Sequence, residues 1–274
     1  MIYLEPNFGL ANRMRAIASG LELAQSANKK MKIIWQNNPE LNCPFYDLFE
    51  PLPGIEVTNK YLHLNVLKTS NRTEASQQFL AKLINKAVGF DYCIKEIDGD
   101  LLRINGKYDI YKITSDNKNV YIKTCGDFLY NDSFLKKFKP VAALQQRIEA
   151  RVNDFTSYTI GLHIRRTDNV DAIANSPLEL FVQRIKTQLS KNPDTSFYLS
   201  TDDLETEKYL KSVFGPKLLI YTKDFARDSE QGIKDAVVDL FCLSRTNEIW
   251  GSFNSSFSNI ASRINQIKLT IMKS

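Results

Sequence analysis

From Thr159 onward the chain alternates short β-forming runs with helical stretches, and that alternation leaves few folds open. The runs cover residues 159–165, 196–201, 217–222 and 248–253. Helical patterns follow them: from Pro177 to about 190 with Ser176 as cap, then 204–213, 232–244 and 257–271. Strands that alternate with helices of this length predict a parallel sheet covered by helices. A helix over 141–152 leads into the first of these strands, and a short mixed tail, 268–274, reads as a solvated helix end.

The first half opens the same way. Residues 1–6 read as a strand, NFGLAN (7–12) as a turn, 13–26 as a helix and 32–36 as the next strand. That β-loop-α-β order puts Asn12 and Arg13 at a helix N-terminus beside a strand end, where anions and sugars are readily met. The single glycine of the turn is no phosphate-loop fingerprint, and an asparagine here is often only a cap. Residues 37–53, with four prolines, predict an irregular surface loop. The second half of 62–89 predicts a helix, and 109–113 and 119–124 predict strands. His63 has no companion and reads as structural. The expected architecture is therefore α/β with two domains of parallel, helix-covered sheet, 1–155 and 156–274.

Composition removes several classes of function. The 274 residues are 43% hydrophobic and 24% charged, ordinary for a globular protein. A net charge of +5, spread along the chain, permits an anionic ligand or peripheral contact with an acidic membrane but does not argue for nucleic acid. The four cysteines form no CxxC pair, so zinc is not expected and reduced, buried thiols are. No charged leader precedes an apolar core and no apolar run approaches ~20 residues. The expectation is a cytoplasmic protein without a transmembrane segment, in which the sequons at Asn71, Asn131 and Asn254 are chance.

Parallel sheets bind ligands outside the carboxyl ends of their strands. Three such ends carry polar clusters, at 165–168, 201–203 and 252–256, and all three face the same edge. In TIGLHIRRTDN (159–169), His163 and Arg165 share one face of a strand and suggest a cationic wall suited to phosphate. An arginine paired with a surface acid is the plainer alternative. Ser255 and Ser256, with the amides that open the last helix, would meet the same phosphates. Asp202 or Asp203 would accept from a ribose hydroxyl or a base N–H, and one of the two reads as a helix cap only. Asp239, on an otherwise apolar helix face, needs either an arginine or a ligand donor, with the ligand favoured.

HIRRTD, FYLSTDD and DAVVDLFCLSRTNEIWGSFNSSFSNIASR, in that order, resemble the fucosyltransferase superfamily of α1,6-, α1,2- and protein O-fucosyltransferases. FGLANRMRAIASGLELA is similar to its opening loop and first helix. About half of the chain carries the resemblance. It implies a GT-B-type enzyme of two Rossmann-like domains with the active site in the cleft between them, acceptor on the first and donor on the second. It also implies a GDP-sugar donor, GDP-fucose above all, a glycan acceptor, an inverting reaction and no metal or other cofactor. Arg165 would bind the β-phosphate in place of a divalent ion. Asp202, Asp203, Asp239 and Ser256 would shape the nucleotide site, with Arg166 beside them and Asn12 near the cleft. The chain departs from the pattern where α1,6-enzymes place a glutamate, because Ile173 stands there with Asp171 two residues earlier. Asp171 or Asp168 would then be the general base, Asp171 ahead because Asp168 is close enough in sequence to be tied to an arginine. Polysaccharide biosynthesis is the expected setting. A different activated donor, or a non-catalytic nucleotide- or glycan-binding module, are the alternatives.

Overall fold

The computed structural model describes residues 1–59, 83, 85–87, 89–95, 108–168, 170–226 and 228–274, and the chain divides into two compact units, Met1–Lys139 and Pro140–Ser274. The division falls upstream of the break expected near Phe155. The helix between the two positions belongs with the second unit, because Arg147 and Arg151 on it pair with Asp235 and Asp239.

In the first unit, β1 (Ile2–Pro6), β2 (Met31–Ile34), β3 (Glu56–Thr58), β4 (Tyr92–Lys95) and β5 (Val120–Thr124) form a parallel sheet in the order β3-β2-β1-β5-β4. Helix α1 (Leu10–Ser26) follows β1, as the apolar spacing predicts. Ile2 and Leu4 are fully buried at the centre of the sheet. Two expectations fail here. Residues 37–53 are not a bare surface loop: a short helix, α2 (Phe45–Leu48), forms, and Phe45 and Phe49 are buried with Trp35 and Phe45 packed edge to face. Residues 109–113 are not a strand. Asp109 accepts from Lys112 N at 3.0 Å and caps α3 (Ile110–Asp116), so one local hydrogen bond outweighs the β preference of the isoleucines. Most of the helix expected in 62–89, with His63 and Asn71, lies outside the described residues.

The second unit starts with α4 (Ala142–Val152) and continues β6 (Thr159–Ile164), α5 (Val170–Asn175), α6 (Leu178–Lys191), β7 (Ser196–Thr201), α7 (Leu204–Phe214), β8 (Leu218–Leu219), α8 (Glu230–Leu243), β9 (Glu248–Ser252), α9 (Ser256–Asn265) and β10 (Lys268–Met272). The sheet is parallel in the order β10-β9-β6-β7-β8. β6 is buried along its whole length between β7 and β9. Helix α6 lays Phe181, Val182 and Ile185 on the sheet against Phe197 and Trp250. Burying each such side chain stabilises the fold by roughly 1.5–3 kcal/mol.

Three boundaries differ from expectation. The last helix stops at Asn265, where Gln266 turns left-handed at φ 56°, and residues expected to be helix and tail become β10, paired in register with β9. The strand expected over 217–222 is only Leu218–Leu219. Ser176 does not cap α6. Its hydroxyl donates to Met272 O and accepts from Phe253 N at 2.7 Å, tying β10 and the end of β9 to the start of the helix.

Candidate functional site

The register of the second sheet lines up the strand ends. His163 pairs with Ser200 on β7 and Gly251 on β9, so residues after Ile164, Thr201 and Ser252 leave the sheet along one edge. Gly251 is what lets α9 come close. A Cβ there would lie 2.5 Å from Ser258 Oγ and 2.7 Å from its Cβ. Asn254, at φ 51°, makes the turn, in a left-handed conformation that asparagine tolerates.

At this edge His163 is buried and its ring stacks on Phe257, centroids 4.9 Å apart and planes at 23°. Ser255 Oγ lies 3.5 Å from its Nδ1. Burial, reinforced by the Arg165 charge, pushes the imidazole well below its ordinary pKa. The expected cationic wall is therefore one cation: His163 is neutral at pH 7. Ser255 is the N-cap of α9 yet makes no side-chain cap bond, and Ser256 is the first helical residue. The Ser255 side chain thus leaves the opening amides of that helix to other acceptors, and an anion suits such a helix start.

Arg165 begins the loop after β6. Its N–H donates to Ser252 Oγ at 3.0 Å. Its guanidinium Nε donates to Asp168 Oδ1 at 2.8 Å, Nη2 reaches the same oxygen, and Nε lies 3.3 Å from Asp202 Oδ2. Nη1 has no hydrogen bond among the described residues. Asp168 is thus tied to Arg165, as the plainer reading of the motif had it. Asp202 is committed to the loop itself, accepting from Arg166 N at 2.7 Å and Thr167 Oγ at 2.8 Å. Asp203 is the cap of the pair: it accepts from Thr206 N at 2.8 Å and Thr206 Oγ at 2.6 Å, and the hydroxyl bond lowers its pKa. Arg166 turns the other way, Nη2 donating to Ser176 O at 2.8 Å while its buried Nε finds no partner among the described residues. Asp171, exposed in the first turn of α5, makes no side-chain hydrogen bond among the described residues.

Asp239 corrects the reading that favoured a ligand. Its partners are protein: Arg151 Nη1 at 2.7 Å, Tyr198 Oη at 2.7 Å and Lys223 Nζ at 2.9 Å. Burial works to raise its pKa, but Lys223 and Arg151 outweigh it and hold the carboxylate below its usual range. None of those partners was legible, because they lie on α4, on β7 and in the loop after β8. Sequence reading also passed over Glu207, whose Oε2 is buried without a partner among the described residues and whose pKa is raised by burial.

Asn12 and Arg13 belong to the first unit. Arg13 is fully buried and spent: Nε donates to Phe8 O at 2.7 Å, Nη1 to Gln36 O at 2.6 Å and Nη2 to Asn38 Oδ1 at 2.9 Å, with Trp35 under the guanidinium at 4.7 Å. It holds the opening loop, in which Phe8 sits at φ 62°, and is not a free ligand contact. Asn12 Oδ1 is the reverse, buried with no hydrogen bond among the described residues.

No family model and no curated protein sequence matches this chain. Solved structures do. NodZ α-1,6-fucosyltransferase soaked with GDP-fucose, an enzyme known from Bradyrhizobium, is similar over 96% of this chain and 92% of its own, with a TM-score of 0.63 at 17% identity. A FUT1 mutant of Arabidopsis thaliana in complex with GDP is similar over 98% and 69%, with a TM-score of 0.66 at 14% identity. POFUT1 in complex with GDP covers 99% and 98%, with a TM-score of 0.59 at 13% identity. At such identities the likeness speaks to the fold: this chain is built on the fold of the fucosyltransferases, the one its motifs resemble.

Proposed function

We propose that the protein is an inverting, metal-independent glycosyltransferase that moves fucose from GDP-fucose to a hydroxyl of a glycan acceptor. The observation that carries the reading is Arg165 at the end of the buried strand β6, its N–H bonded to Ser252 at the end of β9, four residues before α9 begins with a Ser255 side chain that makes no cap bond. A diphosphate leaving group develops negative charge as the sugar departs. A guanidinium with a free Nη1 and a row of helix amides would neutralise it. The fold supports the assignment of donor, since similar structures hold GDP or GDP-fucose. The second unit binds the donor and the first, with Asn12, presents the acceptor side of a GT-B enzyme.

Asp171 takes the acceptor's proton as general base, for this acid in the first turn of α5 has no side-chain partner among the described residues, whereas Asp168 is engaged by Arg165. His163 stays neutral and, with Ser255, lines the phosphate side. Asp202 keeps the arginine loop in place. The setting is assembly of a polysaccharide in the cytoplasm. No described helix is long and apolar enough to cross a membrane.

Thermal unfolding with and without nucleotides tests the donor class. GDP and GDP-fucose are expected to raise the melting temperature of the wild type and not of Arg165→Ala, because only ligand bound to the folded state stabilises it. A rise with uridine or cytidine nucleotides alone discards fucose. A rise with GDP but no release of diphosphate under any acceptor favours a binding module.

A further inference from the structure

Helix α6 and strands β9 and β10 frame an open groove of about 640 Å³ that the donor reading does not use. Its lining carries four cations, Arg184, Lys191, Lys268 and Lys273, against one carboxylate, Glu248. Lys268 lies 3.2 Å from Glu248 and compensates it. The remaining three cations come from both walls: Arg184 and Lys191 from α6, two turns apart, and Lys273 from the end of β10. Seven residues of helix, roughly 10 Å of rise, separate Arg184 from Lys191, a span wider than a single phosphate. By strand rise, β10 runs roughly 16 Å, long enough for several linked sugar residues.

We propose that this groove binds a segment of acidic polysaccharide, one bearing carboxylates at intervals along a chain. Arginine and lysine take the carboxylates. Gln183, Thr187 and Gln188, also in the lining, offer amide and hydroxyl groups to the sugar hydroxyls between them. The aromatic floor argues against nucleic acid: Trp250 is 1% exposed under the Arg184 guanidinium at 4.7 Å, so it offers no stacking platform. A bilayer fits poorly as well. The lining is concave, and Ile271 is its one large apolar side chain exposed among the described residues, too little to insert. One end of the groove reaches the donor edge. Lys273 Nζ lies 4.5 Å over the ring of Phe253, the residue that leaves β9 toward α9. A polymer held there would lie beside the sugar being transferred, a consequence that rests on the transferase reading; the binding itself does not.

Fluorescence anisotropy of a labelled oligogalacturonate tests it, with a neutral maltooligosaccharide of equal length and anionic phospholipid vesicles as comparisons. The wild type is expected to bind the acidic oligomer, more weakly as salt rises, and the neutral one not at all. Lys191→Glu with Lys273→Glu is expected to weaken binding at least tenfold. Both side chains are exposed, so the melting temperature and its rise with GDP should persist, and Arg184→Gln provides a second, milder loss. Equal binding of neutral and acidic oligomers, an unchanged affinity in the double variant, no binding, or a preference for vesicles each overturns the proposal. Failure of GDP to stabilise even the wild type sinks the donor reading and leaves the groove standing.

Discussion

Arg13 and Arg165 both follow the first strand of their unit's sequence pattern, and the sequence suggests a ligand contact for each. Arg13 is fully buried, and its acceptors are two backbone carbonyls and an asparagine oxygen. Burial lowers its pKa to about 10, and no carboxylate lies within ion-pair distance among the described residues. Arg165 keeps 17% of its side chain exposed and is held by two carboxylates, one of them half exposed. The difference lies in what an incoming phosphate can replace. Displacing a neutral carbonyl inside the fold strands a buried acceptor, whereas a phosphate at Arg165 exchanges one anion for another at the surface. A buried clamp and a proposed ligand contact can thus share one residue type.

The comparison breaks most visibly at Arg165. Arg165→Ala is expected to lower turnover of donor by about 10²–10³, the usual loss when one preorganised donor to a developing charge is removed, with little change in the urea midpoint. A steady-state assay beside an unfolding curve checks it; a variant that loses stability and keeps turnover would make Arg165 the clamp. Arg13→Met should do the opposite. It leaves three acceptors without donors, each costing about 1–3 kcal/mol, so a loss of at least about 3 kcal/mol by urea unfolding is expected while GDP still raises the melting temperature.

Asp239 sharpens the point with a third pair. Its folded pKa is depressed, so the stability it contributes is present above the ordinary carboxylate range and is lost as pH falls through its folded value. Asp239→Asn should therefore cost about 3–5 kcal/mol at pH 7, the loss typical of a broken buried pair, and should flatten acid denaturation below about pH 4. Equal stability of the two proteins at pH 7 would mean that Arg151 and Lys223 do not depend on it. The smallest effect belongs to Asp203. Asp203→Ala removes the cap of α7 for about 1 kcal/mol, with kcat within a factor of about two, and a larger loss of kcat would return it to the nucleotide site.

Residue types at the site were legible because they sit at the ends of strands with strong local patterns. HIRRTD announces an exposed polar end on a buried strand, and the edge it occupies follows from parallel topology alone. Their roles were less legible. Asp202 and Asp203 are adjacent and identical, yet one braces the arginine loop across 36 residues and the other bonds three residues ahead. Only the second kind of bond leaves a trace in local sequence. Arg151 reaches Asp239 across 88 residues and carries no such trace.

What the sequence by itself determined is the alternation of strand and helix, the parallel second sheet and the polar edge where Arg165, Asp202 and Ser255 gather. Periodicity and turn chemistry act over a few residues, and these features need no more. What only the tertiary structure decided is which charges are spent. Burial of Arg13 beneath carbonyls, of His163 against Phe257 and of Asp239 among Arg151, Tyr198 and Lys223 depends on elements far apart in the chain. A β10 strand where helix was expected has the same cause, since the open edge of β9 offered residues 268–272 a ladder that their own sequence does not reveal. Local patterns place the chain; the surroundings that set a charge's cost arise only when distant segments meet.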